Sequence, residues 1–199
     1  MRIKPCGRHY GVAGGPKAAD TPIDCGNSGT TSRLLMGILA PWECKVTLTG
    51  TTPCSAGLCA RRVTTPLVRM GARFYPEDKD TCLSRVCGTK GLRGIEYDSP
   101  VASAQVKTAV LLAGVFAQGT TVVTEPSPSR NHTELMLPLY GVSTTAASGM
   151  GSVEGPAAMH ACEIDVPGDP SSAAFLACAA ALVPGSAIAS RTFLSILPE

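Results

Sequence analysis

Three times along this chain, at intervals of roughly seventy residues, the same order of local signals recurs. A small polar turn comes first, then about ten apolar and small residues compatible with a helix, then a Gly or Pro breaker. In the first copy Asn27-Ser28-Gly29-Thr30-Thr31-Ser32 leads into Arg33 to Ala40, a break at Pro41, and the β-branched stretch Lys45 to Thr49. In the second, Ala102-Ser103-Ala104-Gln105 leads into Val106 to Ala117, a break at Gly119, and Thr120 to Thr124. The third runs from Asp169-Pro170-Ser171-Ser172 through Ala173 to Val183 and breaks at Pro184-Gly185. The pattern predicts an α/β chain of turn, helix and strand modules. The spacing is too long for a solenoid and suits a domain assembled from a few copies of one βα module.

Ser, Thr, Asn and Asp at helix starts cap backbone N–H groups that have no partner inside the helix. Ordinary capping alone accounts for any one of them. Several such starts converging would present positive helix ends and free N–H groups to an anion, and phosphate is the natural candidate.

Charge and composition narrow the partners. Seventeen Lys and Arg stand against fifteen Asp and Glu, and the basic residues are scattered rather than gathered to follow a nucleic-acid backbone, so nucleic acid is not expected. The longest apolar stretch, Ala173 to Val183, is too short to span a bilayer and reads as a buried helix. No membrane span is expected. Met1 to Cys6 lacks the apolar core and cleavage site of a secretory signal, which makes the cytoplasm the default compartment. There are nine cysteines, an odd number. Cys54 and Cys59 stand five apart, as do Cys82 and Cys87, wider than common zinc knuckles, and His9, His132 and His160 offer no matching pair. Reduced, unlinked thiols and no metal are the expectation.

Four stretches, in order, resemble one known family. They are D-C-G-N-S-G-T-T-S-R-L-L at 24–35, P-V-A-S-A-Q-V-K-T-A-V-L-L-A-G at 100–114, E-P-S-P-S-R-N-H-T-E-L-M-L at 125–137 and D-V-P-G-D-P-S-S-A-A-F at 165–175. Together they resemble the 5-enolpyruvylshikimate-3-phosphate synthases, and the likeness runs from Ile23 to about Ile188. The resemblance implies two domains, each of three βαβαββ units forming an inside-out α/β barrel, with helix starts facing the interdomain cleft. On that basis residues 1–163 are expected to be part of the N-terminal domain and 164–199 the beginning of the C-terminal one. It implies transfer of the enolpyruvyl group of phosphoenolpyruvate to shikimate 3-phosphate with no metal or organic cofactor, in a family that is usually monomeric.

The same resemblance implies roles for individual residues. Ser103, Ala104 and Gln105 match the triplet that binds shikimate 3-phosphate, and Arg130 matches a basic residue at that ligand's phosphate. Asn27, Gly29 and Thr30 match the loop beside phosphoenolpyruvate, where Gly29 lets a ligand approach the backbone. Asp169 matches an acidic residue at the start of the second domain, with a hinge or hydrogen-bonding role. Each also has a plain structural reading. Gln105 serves as a helix cap, Arg130 as half of a surface ion pair, and Asp169-Pro170 as a good helix start in any protein.

Much of the family's equipment is not found. Its early lysine-serine-arginine segment has no counterpart in Met1 to Thr21, and its acid and base residues belong beyond Glu199. At Thr51 to Ala60 the family carries a pattern like S-L-S-R-R-P-M-R, with a phosphoenolpyruvate-binding arginine, where this chain has T-T-P-C-S-A-G-L-C-A. Back-translated one frame over, Ser55 to Ala60 permits R-R-P-M-R. The last eleven residues, Ala189 to Glu199, likewise permit V-x-D-V-S-L-N-P-T-R in a shifted frame. The expectation is therefore a disrupted reading frame and a chain inactive on its own. Two alternatives remain open from the sequence: a non-catalytic module that binds shikimate 3-phosphate, and a relative of the transferase acting on UDP-N-acetylglucosamine.

Overall fold

The computed structural model describes residues 2–3, 16, 18, 20–50, 58–76, 84–162, 164–165 and 169–188. Residues 51–57, in the segment expected to be out of frame, and the whole expected out-of-frame tail 189–199 lie outside the described residues, as do Cys54 and Cys82. The chain divides into two units, one formed by Val12–His160 and the other by Met1–Gly11 with Ala161–Glu199. In chain order the elements are β1 (Arg2–Ile3), β2 (Ile23–Asp24), α1 (Gly29–Leu39), β3 (Lys45–Thr49), α2 (Leu58–Arg69), β4 (Arg73–Pro76) and β5 (Ser84–Cys87). There follow β6 (Glu96–Asp98), α3 (Ala104–Gly114), β7 (Gly119–Thr124), α4 (His132–Met136) with a 3-10 turn at Leu137–Tyr140, β8 (Thr144–Ala147), β9 (Met150–Gly155), β10 (Ile164–Asp165) and α5 (Pro170–Leu182).

Within Val12–His160 the repeat is explicit, because each copy is a βαβαββ unit that closes its own four-stranded sheet. The orders are β2-β3-β5-β4 and β6-β7-β9-β8. In both sheets the first two strands are parallel and the remaining pairings antiparallel, with Ile23 opposite Leu48 in one and Glu96 opposite Val122 in the other. A parallel pair needs a crossover, and α1 and α3 supply it.

Alternation along the strands decides which way each sheet faces. In β3, Val46 and Leu48 are buried while Lys45 is exposed; in β7, Thr121 and Val123 are buried while Thr120 and Thr124 are exposed. The buried faces meet the helices: α1 packs on β3 and β5, α2 on β4, and α3 on β7 and β9, while the three helices also pack on one another. Helices therefore lie inside and sheets outside. One core runs through both repeats, including Met36, Leu67, Val86, Val110, Leu111 and Val153. Full burial of side chains of this kind stabilises by about 1.5–3 kcal/mol each.

α3 sits at the centre of this arrangement, which explains why its sequence is apolar on nearly every side. Val106, Lys107, Ala109, Val110, Leu111, Ala113 and Gly114 are all buried. Two glycines set its closest approaches. A Cβ at Gly37 of α1 would lie 2.2 Å from the Ala109 carbonyl oxygen, and one at Gly114 would lie 2.7 Å from Thr121 Oγ1.

The helices differ from the sequence expectation in their ends. α1 begins at Gly29 and α3 at Ala104, because the small polar residues fold into the first turn instead of preceding it. α3 stops at Gly114, three residues before Ala117, where the chain tightens through Phe116 N–H to Ala113 O and Ala117 N–H to Gly114 O. Gly119 then opens β7 with φ +89°, a left-handed conformation that favours glycine. α2 has no place among the three segments read from the sequence, since its start at Leu58 falls in the stretch that departs from the family pattern.

The other unit contains β1 and β10, paired antiparallel with Arg2 opposite Asp165 and Ile3 opposite Ile164, and α5. The run Ala173 to Val183 was expected to be a buried helix. It is helical but not buried, with Phe175 and Leu182 each 81% exposed. The corresponding helices α1 and α3 are covered by the four-stranded sheets of their own repeats, whereas the described part of this unit offers only the two-residue strands β1 and β10. Among the described residues no helix is long and apolar enough to cross a membrane.

Candidate functional site

The predicted ligand residues of Val12–His160 fall at two helix starts and one loop. Asn27 lies in the turn before α1 and is exposed; Gly29 and Thr30 form the first turn of that helix. Ser28 is its N-cap, in extended backbone, and its Oγ accepts the Thr31 N–H at 3.1 Å. The nearest atoms that a Cβ at Gly29 would meet are those of the Arg33 guanidinium, from 3.3 Å. The backbone of this turn is therefore open to approach, apart from one flexible side chain.

At α3 the arrangement is different. Ser103 occupies the N-cap position, with φ −153° and ψ 102°, yet its side chain makes no capping hydrogen bond. Its own N–H donates to Glu125 Oε1 at 2.7 Å. The first hydrogen bond of the helix runs from Lys107 N–H to Ser103 O, so the N–H groups of Ala104, Gln105 and Val106 precede the helical ladder. The expectation that serine caps each helix start holds at Ser28 and fails at Ser103, whose backbone N–H is taken by a buried carboxylate and whose hydroxyl makes no bond to the helix's own donors.

Gln105 joins the two starts. Its Nε2 donates to Thr30 Oγ1 at 2.7 Å, and its Oε1 accepts from Arg33 Nη1. The plain reading of Gln105 as a local cap is thus replaced by a bridge between α1 and α3. Ser28 and Ser103 give a clean contrast. Ser28→Ala is expected to cost about 1 kcal/mol in urea denaturation, as loss of a side-chain cap does, and Ser103→Ala less than about 0.5 kcal/mol.

Arg130 is exposed in the irregular segment after β7. Its neighbour Ser129 donates its hydroxyl to Glu125 Oε2 at 2.6 Å, which ties the segment to the same carboxylate that holds Ser103. Behind them is a buried ion cluster. Lys107 Nζ lies 3.0 Å from Glu125 Oε2 and 2.9 Å from Glu134 Oε1, and all three side chains are at most 3% exposed. Glu134 Oε2 has no hydrogen-bond partner. Burial works against the charge on Lys107, but its hydrogen bonds and attraction to Glu134 and Glu125 outweigh this and push its pKa up. Burial likewise opposes the Glu125 charge, and the hydrogen bonds from Ser129, Ser103 and Lys107 together with the lysine's charge bring its pKa down.

Lys107, Glu125 and Glu134 had been given no role from the sequence, although all three stand inside the motifs quoted for the resemblance. The signal was available: a lysine in the apolar run V-K-T-A-V-L-L-A must find carboxylates or leave the core. Asp169 belongs to the other unit, is exposed, and accepts the Ala173 N–H through its carbonyl at 3.0 Å at the start of α5. A cavity of about 590 Å³, lined by Glu43, Lys45, Arg73, Tyr75 and Arg85, is at the far end of β3 from the α1 start. No group of three or more metal-ligating side chains occurs among the described residues.

Solved structures share this fold. Two structures of EPSP synthase from Acinetobacter baumannii superpose with TM-score 0.73, one at 41% identity over 83% of this chain and 37% of that one, the other at 40% over 85% and 39%. The fold is therefore that of the enolpyruvyl transferases. The family model described as EPSP synthase (3-phosphoshikimate 1-carboxyvinyltransferase) matches residues 7–194, and this chain belongs to that family. A 3-phosphoshikimate 1-carboxyvinyltransferase from Xanthomonas campestris pv. campestris is 48% identical over 170 residues, and one from Xanthomonas oryzae pv. oryzae is 48% identical over 169. Each alignment covers 85% of this chain but 39% and 38% of the relative, so the chain spans about two fifths of the curated relatives it matches. Between the two transferase families weighed from the sequence, these relatives select the shikimate enzyme.

Proposed function

We propose that the two linked helix starts form the shikimate 3-phosphate half of an enolpyruvyl-transferase site. The observation that carries this reading is the bridge Arg33–Gln105–Thr30, which sets the Ser103-Ala104-Gln105 start beside the Asn27–Thr30 turn. Ser103 brings a hydroxyl not spent on capping, Ala104 and Gln105 bring N–H groups at a helix start, and Arg130 brings a cation. The Asn27, Gly29 and Thr30 turn receives phosphoenolpyruvate. Asp169 keeps the hinge or hydrogen-bonding role implied by the family, at the start of a second domain beginning near residue 164.

In the reaction of the whole enzyme, the 5-hydroxyl of shikimate 3-phosphate adds to C2 of phosphoenolpyruvate as the methylene gains a proton. Loss of phosphate then returns the proton and leaves the enol ether. That sequence needs an acid and a base in reach of substrate. Glu125 and Glu134 are enclosed with Lys107 and offer neither. On this reading the 199-residue chain on its own binds shikimate 3-phosphate without turnover, in the cytoplasm and with no cofactor. A disrupted reading frame at 51–60 and 189–199 fits the same picture, and resequencing the coding DNA checks it: in-frame codons throughout, with no longer frame downstream, contradict it.

Calorimetry with shikimate 3-phosphate, beside a phosphate-release assay with phosphoenolpyruvate, tests the function. The expected result is saturable binding and no phosphate release. Turnover contradicts the inactive state, and a folded chain that does not bind contradicts the half-site.

A further inference from the structure

We infer that Glu125, held in place by Lys107, is a positioning residue that fixes the substrate-phosphate site by bracing its helix start against its arginine loop. The inference rests on the half-site reading above and adds to it a residue that never touches the ligand.

A single carboxylate gathers two separate pieces of chain, the start of α3 and the loop that carries Arg130. Oε1 accepts the Ser103 N–H at 2.7 Å, at the start of α3. Oε2 accepts the Ser129 hydroxyl at 2.6 Å, one residue before Arg130, and also meets Lys107 Nζ at 3.0 Å, one turn into α3. The carboxylate side chain is fully enclosed, so none of these bonds is exchanged readily with water. Its backbone is anchored as well, since the Glu125 N–H donates to Gly149 O at 2.7 Å and Ser99 N–H to Thr124 O at 2.7 Å. The brace is therefore built on the second sheet.

Both pieces it holds need such a brace. Residues 125–131 belong to no helix or strand, so Arg130 has no ladder of its own to fix its direction. Ser103 makes no capping bond of its own, so the bond from its N–H to the carboxylate is what ties this helix start to the second sheet. Neutral donors bind an anion strongly only when held in place before it arrives. Lys107 restrains Glu125 at a distance short enough that loss of the ammonium would free the carboxylate to turn.

Glu134 supplies the control. It meets the same ammonium at 2.9 Å and packs against Gly151, yet it has no hydrogen bond to Ser103 or Ser129. A purely structural cluster would make the two glutamates equivalent. A positioning role separates them.

The experiment is calorimetric titration of the 199-residue chain with shikimate 3-phosphate, each variant's urea midpoint being measured in parallel. Glu125→Ala is expected to weaken binding by about tenfold or more, since two hydrogen bonds are lost, while Glu125→Gln, which keeps an acceptor for Ser103, recovers most of the affinity. Glu134→Ala is expected to lower the urea midpoint comparably but to change affinity less than about twofold. Ser129→Ala removes one part-buried bond and no charge, and is expected to weaken binding about fivefold at an unchanged midpoint. If Glu125→Ala does not fold, Glu125→Gln and Ser129→Ala decide alone. Parallel affinity losses at Glu125 and Glu134, or undiminished binding in Ser129→Ala, overturn the inference. Failure of the folded wild-type chain to bind overturns the half-site reading instead, and the inference with it.

Discussion

Lys107→Met is expected to destabilise the chain by about 3–5 kcal/mol at pH 7, one of the largest losses available from a single substitution. The methionine fills most of the volume of the lysine stem, so little cavity is created. What is lost is the ammonium at 2.9–3.0 Å from two carboxylates, whose side chains are at most 1% exposed. Removing it leaves Glu125 and Glu134 facing one another with no cation and no access to water.

The pH dependence gives a second readout with a definite sign. The Glu125 pKa is lowered in the folded state, so its contribution is fully present above its ordinary value of 4.5 and is lost as pH falls through the lower folded value. The Lys107 pKa is raised, so its contribution is present below 10.5 and is lost as pH rises through the higher folded value. Without Lys107, protonating a carboxylate relieves repulsion. The Met variant should therefore gain on the wild type as pH falls from 7 toward 4.5. Urea denaturation at several pH values checks both parts, and a deficit under about 1 kcal/mol at pH 7 contradicts them.

Gly37→Ala is expected to cost about 3 kcal/mol, although Ala is ordinarily the better helix former. The added Cβ would stand 2.2 Å from the Ala109 carbonyl oxygen and 2.8 Å from its carbonyl carbon and Cα. These are backbone atoms of α3 and cannot rotate aside. The two helices would have to separate, pulling on the Gln105 bridge at their starts. Gly29→Ala is the control, because the nearest atoms to its Cβ belong to the flexible Arg33 guanidinium, and a change under about 1 kcal/mol is expected. Equal effects at the two positions would contradict the close crossing of α1 and α3.

The repeat was legible because its signals are local. Gly119, Pro41 and the serines at 28 and 103 punctuate the chain, and β-branched runs mark β3 and β7 almost residue for residue. Individual helix ends were less so, since Gly29-Thr30-Thr31 and Ala104-Gln105 serve equally well as a turn or as a first helical turn, and only backbone direction decides. The small polar turns at 27–32 and 102–105 do stand at helix starts. Their connections were not legible: that Gln105 reaches Thr30 depends on a contact 75 residues apart in sequence, and that Glu125 takes the Ser103 N–H depends on how β7 delivers the chain beside α3. Buried charge offered the missing clue. Lys107 amid Val106, Val110 and Leu111 required acidic partners, and the motif at 125–137 carries them at Glu125 and Glu134. For α5 the reading from composition was right about helix and wrong about burial, because burial depends on a covering layer that hydrophobicity alone does not supply.

Backbone amide NMR of the 199-residue chain, followed during titration with shikimate 3-phosphate, tests the paired helix starts most directly. The largest saturable shifts are expected at Ser103, Ala104, Gln105 and Arg130, with smaller ones at Gly29 and Thr30 through the Gln105 bridge. A folded chain whose shifts stay unchanged, or move only around Lys45, Arg73 and Arg85 on the outer face of the first sheet, would contradict it.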